Sequence, residues 1–377
     1  MKQEEYLGFG SIKHVESILK NNNAKNIFLV TGNGSYESCG SKEVISKLLS
    51  NYSFSRFCDF EVDPKVEDVK RGIDIFRKGN YDMVIAIGGG SVMDTAKLIN
   101  ILSPQSGNPV EYIQEGREIE PLGKPLIAIP TTAGSGSEAT HFAVVYVDGK
   151  KYSVAHPDML SNHAILDPSL TIRLPQKITA STGMDALTQA SESLWSVGST
   201  DESQKYAREA INLVLNNLNN AVNNPSLESR EAMINAAHLA GMAINITKTT
   251  APHALSYYLT SKYGIPHGHA VALTFGEVLV HNSLVTEEDV IDERGAHHVR
   301  NTMQELYGLL GCTDANSSRE RIKDLMDSID LEISLSQFGI TKEDIGLILG
   351  SVNLERLKNN PRKLTVESMR ELLLGIL

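Results

Sequence analysis

The first half of the chain alternates short β-branched apolar runs with glycine-rich turns and helix-like stretches, most clearly at Asn26 to Gly32, Tyr81 to Gly90 and Pro125 to Gly136. Such runs predict the strand–helix rhythm of a parallel sheet with helices on its faces. Two further runs, Phe142 to Val147 and Lys151 to Ala155, flank Asp148-Gly149, a pair suited to the two-residue turn of an antiparallel hairpin. After a short strand-like run at Ala164 to Leu166, and from about Ser181 onward, the period changes. Ala207, Ile211, Val214, Leu215, Leu218 and Val222 recur at the spacing of one helix face. The pattern predicts an α/β domain over residues 1–178 and an all-helical domain over 179–377, with the seam near Pro175 to Ala180.

Composition agrees with two domains, because 377 residues exceed the ~100–200 of an ordinary single core. Acidic side chains outnumber basic ones by 46 to 35, a net charge of −11. This argues against nucleic acid or an anionic membrane as partner, and it means that an anionic substrate needs a local basic pocket. Cys39, Cys58 and Cys312 are scattered, which fits neither a disulfide framework nor a C-x-x-C metal knuckle and points to a reducing cytoplasm. No apolar run approaches the ~20 residues of a membrane span, and the opening MKQEEYLGFG lacks the apolar stretch of a secretory signal. The expectation is a cytoplasmic protein whose mature form is the whole chain.

Four segments carry candidate chemistry. In the first, an apolar strand runs into Gly88-Gly89-Gly90 and then into a helix opening with Ser91, Val92, Met93 and Asp94. Glycines there let backbone N–H groups approach a phosphate, and the helix N-terminus adds about half a positive charge. A tight turn that needs glycine for sterics alone is the alternative. In the second, Thr131, Thr132 and Ser135 crowd the end of another apolar strand, where open α/β sheets bind ligands. In the third, Asp185 and Gln189 stand four apart on one helix face; the competing reading is a helix cap, with Thr182 and Asp185 as a capping box. In the fourth, Lys248, Thr249, Thr250 and His253 are followed by His267 in a Pro-His-Gly turn. One carboxylate and two imidazoles suit a divalent metal, leaving a further position open to Gln189.

Together, and in this order, the four segments resemble the iron-containing (group III) alcohol dehydrogenase family over essentially the whole chain, from Phe9-Gly10 to Asn360-Pro361-Arg362. The resemblance implies an N-terminal dinucleotide-binding domain, a helical C-terminal domain, and metal and substrate in the cleft. It implies cofactor-phosphate contacts at Gly88, Gly89, Gly90, Ser91 and Asp94, with Thr131, Thr132 and Ser135 beside them, and metal ligands at Asp185, His253 and His267. Cofactors would be NADPH or NADH and a divalent metal, Fe²⁺ or Zn²⁺, with a homodimer as the assembly. His253, His267 and Asp185 would then be the catalytic centre.

Three departures stand out. Gln189 occupies a position where the family usually has histidine, and an amide oxygen is a poorer ligand for soft divalent metals. Tyr257 stands where a second histidine is common, so proton delivery is expected from water or a ribose hydroxyl. Gly32 replaces the aspartate that many NAD-preferring members carry after the first strand, which favours NADPH. Within the family, Asn245 to His253 and Asp185 to Gln189 look most like the branch that reduces phosphonoacetaldehyde, with Lys248 and Thr249 as candidate contacts to the phosphonate. The expected reaction is reduction of a small aldehyde, best phosphonoacetaldehyde to 2-hydroxyethylphosphonate. The rivals are a family member of glycerol, lactaldehyde or maleylacetate type, and a non-catalytic nucleotide-binding protein that has lost its metal.

Overall fold

The computed structural model describes residues 3–352 and 354–377. Six strands form where the apolar runs lie, β2 Asn26–Thr31, β4 Met83–Gly88, β5 Leu126–Pro130, β6 Phe142–Val147, β7 Lys150–Ala155 and β8 His163–Leu166, and two that no such run announced, β1 Glu4–Leu7 and β3 Ser53–Phe57, join them. Six of them make one parallel sheet in the order β1-β8-β5-β4-β2-β3, and β6 and β7 pair as an antiparallel hairpin. Its turn places Asp148 and Gly149 at φ 49° and 73°, the left-handed pair that a tight hairpin requires.

The central strands read as unbroken apolar runs because both faces of the sheet are covered. One face buries Ile27, Leu29, Ile85, Ile87, Ile127 and Ile129 with residues of the His14–Asn21 and Ser41–Leu48 helices. The other buries Phe28, Val30, Val84 and Ala128 with the Val66–Lys78 and Gly90–Leu102 helices. Each buried Ile or Leu contributes about 1.5–3 kcal/mol. In register, Gly88 of β4 lies opposite Pro130 of β5, so the turns that follow the two strands leave the sheet side by side.

Close packing divides the chain into Met1–Leu174 and Pro175–Leu377. The second unit is helical and is organised around the Gln176–Trp195 helix, which packs against the Asp201–Asn223, Leu227–Thr247 and His267–Ser283 helices. That helix is buried on almost every side. Polar side chains survive inside it because the hydroxyls of Thr188, Ser191 and Ser193 donate to the carbonyls of Asp185, Leu187 and Gln189. Among the described residues, no helix is long and apolar enough to cross a membrane.

Candidate active site

In the first unit, the glycine turn and the Thr131–Ser135 segment meet. Thr131 donates its backbone N–H to the Gly88 carbonyl at 2.9 Å. A Cβ on Gly89 would stand 3.2 Å from the Thr132 side chain, one on Gly90 would stand 2.9 Å from the Ser135 hydroxyl, and one on Gly88 would strike Val92 at 2.3 Å. Side chains at Gly89 and Gly90 would thus fill the space between the two loops. Ser91 opens the helix with its hydroxyl accepting from the Asp63 N–H at 3.3 Å.

Asp94, expected as a cofactor-phosphate contact, has both carboxylate oxygens engaged within the protein: they accept from the Ser137 hydroxyl at 2.7 Å and from the Val144 N–H at 3.0 Å, tying the helix to the second loop and to the hairpin. Lys97, one helix turn on and fully buried, works with it: its ammonium donates to the carbonyls of Ser137, Thr140 and Phe142. Sequence analysis missed this lysine, although a charged residue inside an apolar helical run was the available signal. Beside Gly32 the structure adds Arg56, which donates to the Thr31 hydroxyl at 2.7 Å and to the Gly32 carbonyl at 3.0 Å.

In the second unit, the Gln176–Trp195 helix places Asp185, Gln189 and Glu192 on one face, at spacings of four and three. The helix begins nine residues before Asp185, and the Thr182 hydroxyl donates back to the Ile178 carbonyl at 2.8 Å; the capping-box reading therefore fails. His253 lies in the first turn of the Ala251–Tyr263 helix and His267 opens the His267–Ser283 helix. Ligand atoms of Asp185, His253 and His267 all lie within 4.8 Å of one another. The two imidazole centroids are 5.4 Å apart.

The donor set fits a divalent cation. Asp185 Oδ1, Gln189 Oε1 and His253 Nε2 are buried atoms without a hydrogen-bond partner, and unsatisfied buried polar atoms each cost ~1–3 kcal/mol. Asp185 Oδ1 and His253 Nε2 stand 3.4 Å apart without the alignment of a hydrogen bond. Gln189 reaches Asp185 through a side-chain hydrogen bond, which leaves its Oε1 buried without a partner. On the far side of His253, Nδ1 donates to Glu192 Oε1 at 2.5 Å, while Glu192 Oε2 accepts from the Thr250 N–H at 2.5 Å and the Thr250 hydroxyl at 2.9 Å. A carboxylate with every nearby donor engaged can only accept, so Nδ1 carries the proton and Nε2 is left to face Asp185.

Electrostatics point the same way. Burial opposes a charge on His253, but Glu192 and Asp185 outweigh it and raise the imidazole to about 9. Burial pushes the Asp185 carboxyl up, and the contact with His253 and the charge of His267 reverse this and hold it below its usual value. The pocket therefore attracts positive charge. Tyr257 stacks on His267 with centroids 6.1 Å apart. Burial pushes its phenol up, against the pull of Arg356 and a hydrogen bond shared with Thr249.

Residues 3–168 match the family model of iron-containing alcohol dehydrogenases, and residues 179–377 match the C-terminal model of the same family. The chain belongs to the iron-containing alcohol dehydrogenase family. As a member it is an oxidoreductase of alcohols or aldehydes. Among its relatives, the long-chain-alcohol dehydrogenase 1 of Geobacillus thermodenitrificans is 34% identical, over 73% of this chain and 70% of that protein. The phosphonoacetaldehyde reductase of Streptomyces viridochromogenes is 33% identical, over 78% of this chain and 75% of that one. The crystal structure of sulfoacetaldehyde reductase from Bifidobacterium kashiwanohense in complex with NAD⁺ superposes with a TM-score of 0.88 at 30% identity, covering 99% of this chain and 96% of that one.

Family membership explains why so much of the site was visible in the sequence. Glu192 was not, although it lies one helix turn beyond Gln189 on the same face. Thr250, next to Thr249, is committed to the protein: its hydroxyl accepts from Trp195 Nε1 at 2.9 Å while donating to Glu192.

Proposed function

We propose that the chain is a metal-dependent NAD(P)H reductase of a small aldehyde that carries an anionic tail, with phosphonoacetaldehyde, giving 2-hydroxyethylphosphonate, as the best candidate. The observation that carries the metal reading is the convergence of ligand atoms of Asp185, His253 and His267 within 4.8 Å of one another, with buried atoms of Asp185, His253 and Gln189 left without a partner. These four side chains would hold the ion. When bound there, a divalent cation supplies Lewis-acid polarisation of a carbonyl and stabilises the negative charge that develops on its oxygen. Glu192 orients His253 and fixes its tautomer, and the backbone N–H groups around Gly88, Gly89, Gly90 and Ser91, with Thr131, Thr132 and Ser135 beside them, bind the pyrophosphate of the nicotinamide cofactor that delivers hydride. Position 32 itself carries no carboxylate to repel a 2′-phosphate, and Arg56, which donates to the Gly32 carbonyl, offers a cation, which favours NADPH.

The anionic tail is supported by two relatives named for aldehydes whose second carbon bears a tetrahedral oxyanion, and by the polar turn Lys248-Thr249 ahead of His253. Metal analysis of protein purified without chelators, together with His267→Ala, tests the metal. Turnover that persists with metal fully stripped overturns that reading, as does stoichiometric cofactor binding with no metal at all. Wild-type kcat/KM for phosphonoacetaldehyde against propanal and lactaldehyde tests the substrate, and equal values for a plain aldehyde of similar size overturn it.

A further inference from the structure

A cation near the candidate metal site lies over an aromatic ring and, among the described residues, not against a carboxylate. Arg356, on the short Leu354–Leu357 helix, places its guanidinium carbon 5.5 Å from the centroid of the Tyr257 ring. Tyr257 in turn stacks on His267 and shares a hydrogen bond with Thr249. Arg71, Arg117, Arg208, Arg294, Arg319 and Arg362 are all ion-paired. Among the described residues no carboxylate pairs with Arg356, although the chain carries an excess of 46 acids over 35 bases.

The position of Arg356 is built, not incidental. Asn359, three residues on, donates its amide to the carbonyls of Thr247 at 2.7 Å and Thr249 at 3.0 Å, and its own Oδ1 accepts from the Ser196 hydroxyl at 2.9 Å. The segment bearing Arg356 is thereby stapled to the turn that precedes His253. Within that turn Lys248 adopts φ 60°, ψ 178°, a region that non-glycine residues enter at a cost of ~1–3 kcal/mol and that recurs at ligand sites. Lys248 itself is exposed.

The geometry points to Arg356, with Thr249 and Tyr257, as the subsite that binds the tetrahedral oxyanion at the tail of a two-carbon aldehyde, a phosphonate or a sulfonate. This rests on the anionic-aldehyde reading above and deepens it: the principal anchor is Arg356, with Lys248 as an outer cation. A guanidinium fork matches two oxygens of such a group, whereas a lysine offers a point charge. The aromatic wall of Tyr257 lies against both the guanidinium and a metal-ligand histidine, so one short substrate spans the two.

The test compares, within one preparation, kcat/KM for phosphonoacetaldehyde with that for propanal; the ratio cancels any loss of active protein. A charge-assisted hydrogen-bonded contact is worth about 10- to 100-fold. Arg356→Ala should therefore lower the preference for the anionic aldehyde by that factor, Arg356→Lys should lower it less, and Lys248→Ala should change it by no more than about threefold. Preference retained in Arg356→Ala but lost in Lys248→Ala overturns the subsite and leaves the anionic-aldehyde reading standing. No preference in the wild type overturns both. If Arg356→Ala does not fold, Arg356→Lys and Arg356→Gln carry the comparison, and an unchanged preference in both overturns the subsite.

Discussion

Gly268 follows the ligand His267 and faces the helix that carries Asp185. A Cβ built there would lie 2.1 Å from the backbone carbonyl oxygen of Ser181 and 2.7 Å from Asp185 Cβ. Ordinary C···O approaches are ~3.3–3.6 Å, so Gly268→Ala forces the two helices apart by roughly 1 Å or more, with no rotamer to relieve the clash. That movement opposes the hydrogen bond from the His269 N–H to the Ser181 hydroxyl, 3.1 Å long. Overpacking of this kind costs about 1–3 kcal/mol, sometimes more. Metal sites tolerate only about 0.2 Å in ligand distance, so the loss should fall mainly on metal affinity, by at least about tenfold. Gly276 in the same helix is the control. Its added Cβ would meet Arg319 Cγ at 2.9 Å, the stem of a side chain that can swing away. Thermal unfolding of metal-free protein reads the strain, with about 2–4 °C lost per kcal/mol in a unit of this size. Competition against a chromophoric chelator reads the affinity. A Gly268→Ala protein that melts with the parent and holds metal as tightly, or one no worse than Gly276→Ala, refutes the reasoning.

Glu192→Gln replaces an acceptor-only group by an amide whose NH₂ must oppose either the His253 Nδ1–H or the Thr250 N–H; metal affinity should fall about 10- to 100-fold, and an unchanged chelator titration would count against the role given to Glu192. Gly32→Asp, paired with Ser35→Ala because a Cβ at Gly32 would stand 2.1 Å from the Ser35 hydroxyl, should shift the kcat/KM ratio toward NADH by about tenfold or more; strong NADH preference already in the wild type defeats the argument. Burial lowers Lys97 from 10.5 to about 8, against the attraction of Asp94 and Glu138. Between those values the unfolded chain binds more protons than the folded one, so this lysine makes stability rise with pH across that window. Wild type should therefore gain melting temperature over Lys97→Met as pH climbs from about 8 to 10.5, and a constant gap means the lysine is not so perturbed.

What the sequence revealed follows from how local each signal was. Six of the strands, the Asp148-Gly149 turn and the glycine turn are set by residues adjacent in the chain and formed where the pattern placed them, whereas β1 and β3, largely polar and exposed at the sheet edges, gave no such run. The Thr182 to Asp185 spacing misled because a capping box can be read inside any helix; Pro175, a better start signal one residue before Gln176, decides where this helix begins. Asp94 was read by its neighbours in the motif, yet its partners Ser137 and Val144 lie 43 and 50 residues away. Arg356 lies 99 residues from Tyr257, and nothing near either residue announces the other. Contacts of that span need the tertiary fold.

The Trp195 ring gives the molecule an optical handle. It is the chain's single tryptophan, buried and stacked on Phe275 at 5.4 Å, and its indole N–H reaches Thr250, the residue that shares Glu192 with His253. Capture of an ion by His253 should alter indole emission through this chain of three hydrogen bonds, without dye or label. The same signal comes only from the helical unit, whereas circular dichroism sees both units. Melting curves followed by the two methods will coincide only if the sheet domain and the helical domain unfold as one cooperative body.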